Sequence, residues 1–164
     1  MTLTINTDAS FHPKFGVGAY AFWIKWTDGK LVQSGALKQV KNSQDAEMQA
    51  IGNALYAVLQ KDFKELEHIY INTDCKYGIE AITKGKKING CLDTVKQVNR
   101  YVSKLAVKYQ EYYGGYRRFK KLISWRYVPA HTSGATKRTW VNNKMDELAK
   151  AALWQSINNK NEKQ

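Results

Sequence analysis

The chain predicts an α/β fold: a five-stranded mixed sheet, made of an antiparallel meander plus parallel strands, flanked by α-helices. Three observations carry this. Three β-rich runs follow one another at the start of the chain. Later segments place apolar residues three and four apart, the period of a helix with one buried face. The tetrapeptide Ile-Asn-Thr-Asp occurs twice, at Ile5 to Asp8 and at Ile71 to Asp74, and each copy closes a short β-like run. A helix between two such runs is a crossover, which permits them to pair in parallel.

Leu3 to Ser10 reads as the first strand and Gly16 to Trp26 as the second. Asp28-Gly29 is a hairpin turn signal, and Leu31 to Val40 returns as the third. Asn42, Ser43, Gln44 and Asp45 offer capping side chains to a helix over about 43–60, with Met48, Ile51, Leu55, Val58 and Leu59 on its apolar face. Ile69 to Ile71 is the fourth strand, and Cys75 to Thr83 a short helix stopped by Gly85. Leu92, Val95, Val98, Val102, Leu105, Tyr109 and Tyr112 mark one long helix. A Tyr/Gly turn at 112–116 leads into the basic patch Arg117 to Lys121, and Leu122 to Val128 is the fifth strand. The segment from His131 to Val141 reads as a loop. Asn142 or Asn143 then caps a last helix with Met145, Leu148, Ala152 and Leu153 inward, and residues 158–164 read as a frayed polar tail.

At 164 residues, 43% hydrophobic and 24% charged, the composition suits one globular domain. No apolar run approaches membrane-spanning length, and the N-terminus has no basic region followed by an apolar one, so neither a membrane protein nor a secretory signal is expected. Cys75 and Cys91 are too few for a disulfide framework; reduced thiols, a cytoplasmic setting and a monomer are the expectation.

Charge points to a partner. Lys and Arg number 26 against 14 Asp and Glu, a formal +12, which favours a polyanion such as nucleic acid. From Lys76 to Lys121 twelve basic residues face three acidic ones, a local net of +9. Lys96, Arg100, Lys104 and Lys108 recur every four residues, about 6 Å apart along a helix axis. Like charges so spaced repel unless an anion lies opposite. With Arg117 and Arg118 they are candidate phosphate contacts.

Asp8 and Asp74 end the duplicated runs. In an open α/β sheet ligands bind beyond the carboxyl ends of parallel strands. Two carboxylates brought together there repel, and both ionise readily only when a cation bridges them. A metal-dependent site is the first hypothesis, although the tetrapeptide alone favours the plainer reading that both are strand-end turn residues. Glu47 and Asp146 lie in the expected first turns of their helices, where a carboxylate is by default a capping charge.

The contexts of these four acids change their meaning. The chain reads Thr7-Asp8-Ala9-Ser10, then Gly16 to Ala21, then Asp45-Ala46-Glu47-Met48, then Thr73-Asp74, then Val128-Pro129-Ala130-His131, and finally Asn142-Asn143-Lys144-Met145-Asp146-Glu147-Leu148-Ala149. This resembles type 1 ribonuclease H, of the ribonuclease H-like superfamily, across residues 3–157. The resemblance implies an endoribonuclease that hydrolyses the RNA strand of RNA/DNA hybrids. Asp8, Glu47, Asp74 and Asp146 would hold two Mg²⁺ ions, with Mn²⁺ a substitute, and His131 would assist proton transfer or product departure. Ser43 and Gln44 would read the RNA, with Asn42 a phosphate contact and the basic residues gripping the DNA strand. Three features depart from the family pattern. Ala9 stands where glycine is usual, fifteen residues separate His131 from Asp146 where about ten is common, and one long helix with a Tyr/Gly turn replaces the usual basic handle. Two other classes compete: a DNA junction resolvase or transposase-like nuclease, which uses similar carboxylates, and a non-catalytic nucleic-acid-binding module, which would be expected to lack at least one of the four.

Overall fold

The computed structural model describes residues 1–129 and 136–163. Its sheet has the order β3-β2-β1-β4-β5, with β1 (Thr2–His12) at the centre. β1 pairs antiparallel with β2 (Val17–Trp26), and β2 with β3 (Gly29–Leu37). On the other side β1 runs parallel to β4 (His68–Thr73), and β4 parallel to β5 (Ile123–Tyr127). The two Ile-Asn-Thr-Asp runs lie side by side in register, Ile5 opposite Ile71 and Asn6 opposite Asn72. Their aspartates therefore leave the sheet from matching positions at its carboxyl end.

Alternation along the strands separates two faces. Leu3, Ile5, Phe22, Ile24, Ile69 and Ile71 are all buried and face α1 (Ser43–Leu59) and α3 (Leu92–Lys108). The α1 apolar stripe is buried with them, Met48, Ile51 and Leu55 at 0% exposure. The opposite face receives α6 (Lys137–Asn161). There Ala19 and Ala21 present only methyl groups, so the helix seats closely through Met145, Ala149, Leu153 and Ile157.

Several expected boundaries move. The helix after Leu92 ends at Lys108, and a separate turn α4 (Gln110–Tyr113) follows, so the expected stripe breaks up at its ends: Leu92 and Tyr112 are exposed. The patch from Arg117 is itself a helix, α5 (Tyr116–Lys121), anchored by buried Phe119 stacked on Tyr109. The last helix starts earlier than the Asn142–Asn143 signal suggests, because Thr136 caps it by accepting from the Thr139 N–H. It also continues through Asn161, past the point where polar composition predicts fraying.

Asn42 caps α1 as expected, its Oδ1 accepting the Asp45 N–H at 2.8 Å. The short helix α2 (Lys76–Lys84), stopped by left-handed Gly85, leans on α1 through Gly78. A methyl group added at Gly78 would stand 2.4 Å from the Met48 sulfur and 2.9 Å from the Cys75 sulfur. Those neighbours flank Glu47 and Asp74, so the bare glycine lets two acid-bearing elements approach each other. Gly78→Ala is expected to cost about 1–3 kcal/mol by overpacking, read as a lower urea midpoint with an unchanged slope.

Candidate active site

Beyond the carboxyl ends of β1 and β4 lies a recess of about 130 Å³ lined by Thr7, Asp8, Ala9, Glu47, Asp74, Asn142, Asn143 and Asp146. Four elements build it: β1 supplies Asp8, the residue after β4 supplies Asp74, α1 supplies Glu47 and α6 supplies Asp146. Carboxylate oxygens of Asp8, Glu47 and Asp74 all lie within 4.8 Å of one another. The Ala9 N–H is shared between two of them, donating to Asp8 Oδ1 at 2.9 Å and to Glu47 Oε1 at 3.2 Å. One backbone group thus ties the strand end to the helix.

Asp146 lines the same recess but stands apart from that trio. Its Oδ2 accepts from Lys150 Nζ at 2.7 Å, one turn along α6. It is not in the first turn, as its neighbours Asn142 and Asn143 suggest; α6 begins at Lys137, which places Asp146 about two and a half turns in. Its charge is therefore not a cap for the helix. Glu47 likewise lies one position beyond the first turn of α1, where the acidic residue is Asp45. Both carboxylates lack the plainer explanation as helix-capping charges.

Burial concentrates the repulsion. The Asp8 carboxyl is pushed up to about 7, first by desolvation and then by Asp74, while the Ala9 N–H pulls the other way. Glu47 is driven well above the usual carboxylate range, again by burial first and then by the charges of Asp8 and Asp74. Buried acids held this close repel one another, and their charged forms are disfavoured. Among the described residues, Glu47 Oε2 is buried with no hydrogen-bond partner, and so is Asn142 Oδ1 at the same recess. An oxygen-only donor set, with surplus negative charge and an unmatched carboxylate oxygen, fits a hard divalent cation such as Mg²⁺ or Mn²⁺.

The other expected site residues divide. His131 lies outside the described residues. Ser43 is exposed and Gln44 half-buried at the start of α1. The Asn42 side chain is engaged, its oxygen in the helix cap and its Nδ2 donating to the Asn89 carbonyl. Lys96, Arg100 and Lys104 are exposed along α3, and Arg117 and Arg118 along α5. Lys108 departs from that stripe: it pairs with Asp62 at 2.8 Å and donates to the Leu59 carbonyl, tying α3 to the end of α1. Sequence reading missed two contributions, Lys150 as the partner of Asp146 and Asn142 as a recess-lining group. The four-residue Asp146–Lys150 step, a favourable ion-pair spacing on a helix, was the available signal.

Residues 1–154 match the family model described as RNase H. The chain belongs to the RNase H family. Its activity is therefore that family's, endonucleolytic hydrolysis of the RNA strand of RNA/DNA hybrids, and the family is divalent-metal dependent. Solved structures share the fold at low identity. The N-terminal RNase H domain of a Mycobacterium tuberculosis protein is 17% identical, with 97% of this chain and 98% of that one covered and a TM-score of 0.68. RNase H1 from the halophilic archaeon Halobacterium salinarum is 17% identical over 94% of this chain and 99% of that one, with a TM-score of 0.60. LC11-RNase H1, isolated from compost by a metagenomic approach, is 15% identical over 95% and 98%, with a TM-score of 0.66. No curated protein sequence matches at a significant level.

A carboxyl with a higher pKa in the native state than in the unfolded chain binds its proton more tightly when folded. The stability it contributes is complete below the unfolded value of about 4 and is lost as pH rises through the folded one. For Asp8 that window runs up to about 7. In chelator the protein is therefore expected to melt at a lower temperature near pH 8 than near pH 5, with Mg²⁺ restoring the difference. Asp8→Asn should flatten the profile and gain on the order of 1–3 kcal/mol without metal. A calorimetric series over pH, with and without metal, checks this.

Proposed function

We propose that this RNase H cleaves the RNA strand with two divalent ions, Mg²⁺ in the first instance, held by Asp8, Glu47, Asp74 and Asp146. The observation that carries the reading is the meeting of three carboxylates within 4.8 Å in a half-buried recess that a fourth also lines. The ions supply an activated water and charge stabilisation for the departing 3′-oxygen. The chain's own residues hold and orient. Asp8, which ends the central strand, would help to hold the ions. Glu47 is steered by the Ala9 N–H, which leaves its second oxygen free for a ligand. Asp146 would exchange its Lys150 partner for a metal ligand role. His131 is assigned the proton transfer or product-release step.

Substrate discrimination rests on the 2′-hydroxyl, which only the RNA strand carries. Ser43 and Gln44, beside Glu47 on α1, are assigned to that strand, and Asn42 to a backbone contact through its main chain, since its side chain is engaged. The DNA strand is assigned to Lys96, Arg100 and Lys104 on α3 and to Arg117 and Arg118 on α5, through salt-dependent phosphate contacts. Cys75 and Cys91, both buried and free thiols, support a reducing, cytoplasmic setting.

The test is incubation with labelled RNA/DNA hybrid, duplex DNA and duplex RNA, with Mg²⁺, with Mn²⁺ or with chelator. Cutting confined to the RNA of the hybrid and abolished by chelator is expected; cutting of DNA would overturn the reading. Asp74→Asn should lower turnover roughly 10³-fold or more, since several kcal/mol of transition-state stabilisation depend on the metal site. Lys150→Ala frees Asp146 from a competing cation. The Mg²⁺ concentration for half-maximal activity should fall roughly 1.5- to 5-fold, the factor set by a partly exposed ion pair of about 0.2–1 kcal/mol.

A further inference from the structure

The face of the sheet that carries Asp8 and Asp146 holds a second and larger cavity. Among the described residues, α6 packs across β1, β2 and β3 and leaves β4 and β5 largely uncovered on that side. A groove of about 1060 Å³ opens between the N-terminal part of α6 and the bare strands. That volume is at the upper limit of ordinary ligand clefts (roughly 300–1,000 Å³), so an extended ligand fits better than a small one.

Its lining has one sign of charge and an aromatic wall. Among the described residues Lys25, Arg126 and Lys137 line it, and no acidic residue does. None of the three is ion-paired among the described residues, in contrast to Lys108 and Lys150 elsewhere. Trp23 and Trp140 meet edge to face with ring centroids 6.0 Å apart, and Trp140 is 59% exposed. Arg126 is held in place over the Tyr70 ring, 3.5 Å from its centroid. At the floor Asn72 donates to Asn6 at 2.9 Å, yet Asn72 Oδ1 has no hydrogen-bond partner although the residue is 1% exposed. Asn143 lines both this groove and the carboxylate recess, so the two adjoin.

We propose that this groove is a second nucleic-acid site, which holds a single strand of RNA or DNA next to the cleavage centre. Unpaired cations call for an anionic chain, and an exposed indole calls for flat apolar groups carried on it. Unpaired nucleotides supply both, phosphates to Lys25, Arg126 and Lys137 and a base to Trp140. Every base also carries an N–H donor on its pairing edge, which is what Asn72 Oδ1 lacks. A duplex keeps its bases stacked inside and cannot offer them to Trp140; an acidic peptide answers the cations alone. The proposal needs binding only and does not depend on the cleavage reading.

The experiment titrates labelled single-stranded oligo(dA), oligo(rA) and blunt duplex DNA into the full chain in chelator, followed by anisotropy and tryptophan quenching. Single strands of both sugars are expected to bind and quench. Trp140→Ala should weaken them roughly 5- to 150-fold, the range for loss of one base-stacking partner, and Trp140→Phe should recover most of that. Replacing Lys25, Arg126 and Lys137 by Gln should lower the slope of log affinity against log salt by about 2, the loss of three single-strand phosphate contacts at about 0.7 each. Cleavage of blunt hybrid should be unchanged in all of them, which also reports that they fold. Single-strand affinity in Trp140→Ala within about twofold of the parent would overturn the proposal. So would a Glu-rich peptide that loses affinity in these variants while single strands do not.

Discussion

The carboxyl groups of Asp8 and Asp74 are forced together by backbone pairing that the chain cannot relax without breaking its central sheet, and the packing of α1 on that sheet adds Glu47. β1 and β4 are parallel and in register, so the two strand ends stop side by side. Burial then removes the water that would otherwise screen the carboxylates, and the Asp8 proton becomes hard to remove. The site is thus held strained by the most strongly packed part of the molecule. Much of the surrounding structure can be understood as what keeps that strain from dispersing. The Asn42 cap fixes where α1 begins, Gly78 lets α2 close against it, and the Ala9 N–H ties Glu47 to the strand end.

Charge is partitioned on two length scales. Over the whole chain the balance is +12, and the exposed Lys and Arg side chains of α3 and α5 extend that excess over one side of the molecule. Within the recess the balance is reversed. A polyanion attracted by the first would be repelled at close range by the second unless divalent cations stood between phosphate and carboxylate. The metal requirement and the basic surface are therefore two parts of one electrostatic arrangement. Lys150 belongs to it as well, since its ammonium neutralises Asp146 in the absence of a stronger cation.

The sheet is covered unequally. On one face α1 and α3 seal it with a continuous apolar core. On the other, the small side chains of Ala19 and Ala21 draw α6 over the antiparallel half, which brings Asp146 to the recess and, among the described residues, leaves the parallel half open. The same packing choice therefore completes the acidic centre and creates the basic, tryptophan-walled groove beside it. A bulkier β2 surface would lift α6 and alter both.

Strand and helix identities were legible because their apolar periods are local and strong. β1, β2, α1 and α2 lie close to where their patterns place them, and the duplicated Ile-Asn-Thr-Asp, with Glu47 and Asp146 in their contexts, marked the acids of the recess. Terminal positions were less legible. The Asn142–Asn143 pair imitates a helix start, but burial of Val141 and Met145 against β2, together with the Thr136 cap, extends α6 upstream and moves Asp146 into its body. Lys108 belongs to a regular basic stripe by spacing, yet the carbonyls ending α1 and the Asp62 carboxylate capture it. Order along the chain thus singles out the four acids that line the recess, since each motif is a short-range pattern. Distances, partners and proton affinities come only from how separate elements pack, because they depend on neighbours that sequence separation does not encode.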